Sequence, residues 1–241
     1  MHQDFLSDIE LYYTGNASLS DNAITLTGDE AHHAANVMRH KAGDIIFATD
    51  GKGKIFKSEI TVTGKNNINL KIISSTEYKN ELAGFTFCIP RLKSRERFEF
   101  ALEKCIEIGI TNFIIFESDR TISKGDKTDK WSKLGISAMK QSLRPFLPEF
   151  KFEKNVDDIL KKYSSGGSKV YLFDQNGQAL FRDCTGALKG ENGINYFIFG
   201  PEGGISEREM ELMKGCETFK LTGNRLRSET AIISAAILLA E

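Results

Sequence analysis

Histidine runs out early in this chain of 241 residues: His2, His32, His33 and His40 are the whole supply, and nothing after position 40 carries an imidazole. The remainder therefore has no means of building a nucleophile–histidine triad or an imidazole metal site. Cysteine is scarce as well. Cys88, Cys105, Cys184 and Cys216 lie far apart with no C-x-x-C pair, so they read as reduced thiols, and neither a zinc site nor a disulfide framework is expected. No apolar run reaches bilayer-spanning length, and "MHQDFLSDIELYY" lacks the basic-then-apolar order of a secretory signal, so a cytoplasmic location is expected. An excess of one charge is missing too, with 32 basic against 33 acidic residues. Any grip on a polyanion has to come from a local patch.

A hydrophobic content of 40% is enough for a sizeable core. The first seventy-odd residues read as short strands separated by turns, "NAITLTG", "DIIFATDGKG", "KIFKSEITVTG" and "INLKIISST", with Asp50-Gly51 and Gly51-Lys52-Gly53 marking a tight hairpin. A small β-barrel is expected over 1–75. One helical piece interrupts it, where Ala31, Ala34, Ala35 and Met38 form an apolar stripe that Gly43 ends. The polar stretch "STEYKNELAG" marks the boundary. Over 76–241 strands alternate with longer helical patterns, and this predicts an α/β domain with a mostly parallel sheet covered by helices on both faces. Ligands of such sheets sit at the carboxyl ends of strands.

One such strand end is "NYFIFGPEGGISEREM". Phe199 closes a buried run, Gly200, Pro201, Glu202, Gly203 and Gly204 follow, and Ser206 with Glu209 forms a capping box that opens a helix. Free helix N–H groups and glycines that admit a close ligand make this a binding loop. Phosphate is its usual guest, yet Glu202 opposes a polyanion and neither Lys-Ser/Thr nor G-x-G-x-x-G is present. A second strand end, "LTGNRLRSETAIISAAILLAE", brings a glycine-bearing loop and two arginines. Ser228 reads as the cap of a helix that is apolar nearly all round, so burial on every side, in its own domain or at a subunit interface, is expected. The run "RLKSRERFEFALEK" clusters Arg91, Lys93, Arg95 and Arg97 at a strand end and first helical turn, where RNA phosphates could dock or a solvated helix face could lie. In "KQSLRPFLPEF", Arg144 gathers with Gln141 and Ser142 before two prolines.

Together "FGPEGGISEREME", "LRSETA", "KQSLRPFLPEF", "LEKCIEIGIT" and "HAANVMRHKAGDIIFATDGKG" resemble the ribosomal RNA small-subunit methyltransferases of the RsmE type, in the SPOUT superfamily. The resemblance spans nearly the whole chain with its motifs in order. It implies a PUA-like barrel for RNA and a SPOUT domain with a deep trefoil knot. It further implies S-adenosylmethionine as methyl donor, a homodimer, and methylation of N3 of one uridine in 16S rRNA. Carried across by motif, Phe199 through Gly204 would line the cofactor loop. Leu221, Thr222, Asn224 and Leu226 would form its second wall, with Thr230 beyond, while Arg227, Arg225 and Glu229 would stand toward the reacting base. His33 and Arg39 would face RNA. The family usually has Gly, Arg and an aliphatic residue where Thr222, Asn224 and Arg225 stand here. Three other readings remain open: a sister enzyme methylating a ribose 2′-hydroxyl, an RNA-binding assembly factor without a donor, and a nucleotide-phosphate-binding enzyme.

Overall fold

The computed structural model describes residues 9–15, 22–64, 66–164, 167–190 and 193–241; His2 and most of the segment read for a signal lie outside them. The chain divides into two units, 1–80 with 136–147, and 81–135 with 148–241.

In the first unit, β1 (Leu11–Tyr13), β2 (Ala23–Thr27), β3 (Ile45–Thr49), β4 (Lys54–Thr63) and β5 (Asn67–Glu77) accompany the helix α1 (Gly28–His32), which continues into a π-helical turn over His33–Val37. The strands lie in the order β1-β3-β4-β5-β2, antiparallel except for β1 beside β3. Register shifts at Lys57/Ser58 and Ile60/Val62 bend the long β4–β5 ladder, because an extra residue on one strand increases its twist. The sheet curls over Tyr12, Ile24, Leu26, Ile46, Phe56 and Leu70. The hairpin forms where its turn residues predict it. Asp50 accepts the amides of Lys52 and Lys54 at 2.7 and 3.2 Å, while Gly51 and Gly53 take φ of 71° and 111°.

Three details differ from the sequence reading. The helical stripe stops at Val37, because the π turn bonds Met38 N–H to His33 C=O at 3.0 Å and Arg39 then turns left-handed at φ 59°. Met38 is thereby turned out, 45% exposed. The polar stretch after position 75 is strand as far as Glu77, since β5 continues to pair with β4. Residues 136–147 belong with the first unit because Pro145 C=O accepts Gly53 N–H at 2.9 Å and Leu147 N–H reaches Gly51 C=O at 2.8 Å.

The second unit contains β6 (Phe85–Pro90), α2 (Arg95–Ile108), β7 (Asn112–Phe116), most of α3 (Thr128–Gln141), β8 (Glu149–Glu153) and α4 (Val156–Tyr163). After these come β9 (Lys169–Phe173), β10 (Ala179–Leu180), α5 (Thr185–Lys189), β11 (Asn195–Ile198), α6 (Glu207–Leu212), β12 (Glu217–Lys220) and α7 (Ser228–Ala240). Their sheet is parallel throughout, in the order β10-β12-β9-β11-β6-β7-β8. The chain steps outward from β6 to β7 and β8, restarts at β9 two places to the other side of β6, and only later fills the gap with β11. All four β11 residues are buried, as a strand covered on both faces requires. This reversal of strand order is a topological switch point, where the loops at the carboxyl ends diverge and leave a crevice.

The short β10 and α5, and the edge strand β8, carry too little periodicity to be foreseen. At the last helix, Ile232, Ala235, Ala236 and Leu239 are buried, and α7 packs on α2 with the Cys105 thiol 3.9 Å from Ile232 C=O. Burial on every side is not reached within one chain, since Ile237 remains 45% exposed.

Candidate functional site

The strands β9, β11 and β12 are neighbours and end at the same rim, so their loops meet. Between them lies a cleft of about 550 Å³ lined by Phe173, Asp174 and Gln175 from the first loop, Phe199 through Ile205 from the second, and Leu221, Thr222 and Asn224 through Ser228 from the third. Its floor is aromatic, with the Phe173 and Phe199 rings stacked 4.7 Å apart and Phe219 beside them.

The glycine loop is held from below by one carboxylate. Glu209, fully buried, accepts Ser206 N–H at 3.0 Å while Ser206 Oγ accepts Glu209 N–H at 3.1 Å, completing the capping box. The same carboxylate takes Ser118 Oγ–H and Asp119 N–H, each at 3.0 Å. Three donors satisfy a group whose burial is otherwise costly, and the loop after β7 is tied to the start of α6. Asp119 in turn receives two Arg208 N–H groups at 2.9 and 2.6 Å and Ser206 Oγ–H at 2.6 Å. These bonds, led by the one from Arg208, hold its carboxyl below the usual carboxylate range. The support this linkage gives is therefore present at neutral pH and lost as pH falls through that lowered value.

Within the loop the left-handed position is Gly204, at φ 73°. A Cβ on Gly203 would instead come 3.2 Å from Arg120 Cβ, and Arg120 Nη1 donates to Gly203 C=O at 2.9 Å. Glu202 does not turn its charge toward a guest, because its two oxygens accept Lys93 N–H at 3.0 and 3.3 Å. In the third loop, Thr222 Oγ1 accepts Asn224 N–H at 2.9 Å and donates to Asn224 C=O at 3.0 Å, a local turn made by two of the residues that depart from the family pattern. Arg227 rather than Ser228 caps α7; its C=O accepts Ala231 N–H at 2.9 Å and its side chain makes no capping bond.

Of the residues expected here, Phe199, Gly200, Pro201, Glu202, Gly203, Gly204, Leu221, Thr222, Asn224, Arg225, Leu226 and Arg227 come together on the cleft wall, and Glu229 and Thr230 stand outside it. The basic run divides. Arg97 lines the cleft, Lys93 and Arg95 are exposed, and Arg91 is a correction to the picture of an exposed phosphate reader. Only 8% of it is accessible, its guanidinium lies 5.7 and 5.3 Å from the Phe98 and Trp131 ring centroids, and it donates to Gly125 C=O. The apolar wall around this cation pulls it under the surface and lowers its pKa through lost hydration. In the first unit, His33 Nε2 lies 3.1 Å from Glu10 Oε1, and Arg39 and Arg144 are exposed. The β9 loop carries neither a glycine run nor an arginine pair to mark it as part of a site. Its signal was present in "KVYLFDQNG", a strand running into turn residues, where Asp174 accepts Asn176 N–H at 2.8 Å.

Residues 80–240 match the family described as RNA methyltransferase domain, and residues 26–73 match that described as RNA methyltransferase PUA domain. The chain is 30% identical over 210 residues to ribosomal RNA small subunit methyltransferase E 2 of Borreliella burgdorferi, covering 84% of each. It is 28% identical over 224 residues to ribosomal RNA small subunit methyltransferase E of Bacillus subtilis, covering 88% of this chain and 87% of the relative. A solved structure of ribosomal RNA small subunit methyltransferase E from Neisseria gonorrhoeae bound to S-adenosyl methionine is similar over 95% of both chains, at 27% identity and a TM-score of 0.79.

Proposed function

Since the chain belongs to the family of ribosomal RNA small-subunit methyltransferases of the E type, we propose that it transfers a methyl group from S-adenosylmethionine to N3 of one uridine in 16S rRNA. The observation that carries this reading is the aromatic-floored cleft at the switch point, bounded by three strand-end loops and by Arg225 and Arg227. Its volume lies within the range of small-molecule sites, roughly 300–1,000 Å³. Phe173, Phe199 and Phe219, themselves buried, make a rigid base beneath the site, the glycine loop offers backbone groups at close approach, and Leu221 and Leu226 add apolar wall. These residues fit the donor.

When bound, S-adenosylmethionine supplies an electrophilic methyl group on a sulfonium. The chain's own task is the uracil. Its N3 is a poor nucleophile until the N3 proton leaves, and negative charge then spreads over the two flanking carbonyl oxygens. Arg227, at the head of α7 on the cleft wall, stabilises that charge, and water takes the proton because this unit has no histidine. The PUA-like unit, with Arg39 exposed, and the Lys93–Arg95 face hold the RNA. A second copy covers the exposed Ile237 of α7 and Phe100 of α2, completing a homodimer. The activity belongs in the cytoplasm with the ribosomal subunits.

Mass spectrometry of nucleosides from 16S rRNA of cells with and without the gene tests the reaction. Loss of 3-methyluridine is expected, and loss of a ribose-methylated nucleoside would overturn the N3 assignment. Donor binding is checked by titration calorimetry. Gly204→Ala forces an L residue into left-handed backbone at a cost of about 1–2 kcal/mol, which lowers affinity about tenfold if the bound loop keeps its present shape. Gly203→Val acts by pushing on Arg120, and unchanged affinity in both folded variants would reduce the loop to a turn. Neutralising Lys93 and Arg95 should flatten the salt dependence of RNA binding by about two units of logarithmic slope. Filter binding across a salt series reads this directly.

A further inference from the structure

Arg97 does not share the face of its basic neighbours. Arg95 turns along α2 to Glu99 at 2.9 Å and is 69% exposed. Arg97 sits one step further round the first turn, where Ser94 Oγ accepts its amide at 3.3 Å, and its side chain lines the cleft. Its Nε lies 3.6 Å from Oε1 of Glu229, the second residue of α7, whose side chain is only 12% exposed. The two helices that carry this pair pack together.

The other Glu229 oxygen, Oε2, is buried with no hydrogen-bond partner among the described residues. A buried carboxylate oxygen without a donor costs stability, a cost set against the ion pair with Arg97 and the favourable acidic position in the first turn of α7. What the placement does provide is a fixed negative charge beside Arg97. Local rules are broken in this way where function requires it.

We propose that Arg97 acts inside the cleft on the substrate base and not on the RNA backbone, and that Glu229 is the positioning residue that aims it. This rests on the methyltransferase reading above. As uracil N3–H yields its proton to water and N3 takes the methyl from the sulfonium sulfur, which departs as a thioether, negative charge passes over O2 and O4. One guanidinium covers one of these oxygens. Arg227 and Arg97 reach the cleft from different helices, α7 and α2, and each takes one. The charge of Glu229 keeps the Arg97 side chain from wandering to a phosphate, which is how a half-exposed arginine on a helix would otherwise be used.

The test is single-turnover methyl transfer to 30S subunits at saturating donor and RNA, beside a salt series for RNA binding and a calorimetric titration with S-adenosylmethionine. Arg97→Ala is expected to slow transfer roughly a hundredfold with the salt slope and donor affinity of the wild type. Arg97→Lys, which keeps charge without the planar fork, recovers part of the rate. Glu229→Gln lowers the rate roughly tenfold while the melting temperature holds or rises, an outcome that a strut between two helices would not give. A wild-type rate in Arg97→Ala with the slope reduced by about one makes Arg97 a phosphate contact and overturns the proposal. A wild-type rate at saturation with weakened donor binding makes it a donor contact and overturns it equally. Glu229→Gln that melts lower but transfers normally removes the positioning role. Wild-type protein that moves no methyl at all overturns the methyltransferase reading and this assignment with it, whereas the variants by themselves overturn only the assignment.

Discussion

Arg227→Ala is expected to lose roughly a hundredfold or more in single-turnover methyl transfer to 30S subunits, with donor affinity little changed. The expectation rests on where the residue stands. The Arg227 side chain is exposed on the cleft wall and makes no hydrogen bond or ion pair to another described residue, so its guanidinium is available to a guest. Its backbone is fixed, because its C=O caps α7 and α7 is packed against α2. A donor that meets the developing charge is worth about as much as one oxyanion-hole group, and its loss appears in the rate and not in ground-state binding. Arg227→Lys separates charge from geometry. If the planar fork matters, Lys falls with Ala; if charge alone matters, Lys stays near wild type. A near-normal rate for Arg227→Ala would shift the role to Arg225, exposed on the same wall, or to an arginine of a partner subunit such as Arg144.

The largest effect on the cleft itself is expected from a residue that touches no guest. Gly177 lies just beyond the β9 loop, and a Cβ there would meet the backbone of β12 at 2.3 Å from Phe219 C and 2.5 Å from Lys220 N. Backbone cannot yield as a side-chain tip does. Gly177→Ala must lift the β9 loop away from β12, breaking the bonds from Asp174 N–H to Phe219 C=O at 2.9 Å and from Gln178 N–H to Thr218 C=O at 3.1 Å. Overpacking of this kind costs about 3 kcal/mol, which for a chain of this size lowers the melting temperature by roughly 6–12 °C. Donor binding should fall more than tenfold, because Asp174, Gln175 and Phe219 all line the cleft. Gly186→Ala is the matched control, since nothing lies within 4 Å of a Cβ there. Equal melting curves for the two variants would mean that the close approach of β9 loop and β12 is unimportant.

Much of this was legible in the order of residues because it depends on neighbours in sequence. The capping box at Ser206 and Glu209, the hairpin at Asp50 to Gly53, and the continuous apolar runs of β6 and β11 are local patterns with local causes. They located the second and third loops of the cleft, the parallel α/β unit and the curled β unit, and the order of motifs pointed to the family. What the sequence by itself determined is the set of locally specified elements: the apolar strands, the cap at Ser206 and the glycine turns.

The tertiary structure decided the rest, because the deciding contacts lie far apart in the chain. Insertion of β11 between β6 and β9 is what brings the unremarked Phe173–Gln175 loop beside the two glycine loops. Packing settled the charges as well. Four basic residues between 91 and 97 look alike on paper, yet Trp131 draws Arg91 under the surface, Glu202 takes the Lys93 amide, Glu99 holds Arg95 outward, and Glu229 faces Arg97 at the cleft. Each partner but Glu99 comes from more than thirty positions away, beyond the reach of any helical or strand periodicity. The side of a helix on which a guanidinium is used is fixed by desolvation and by the carboxylates that folding brings to it.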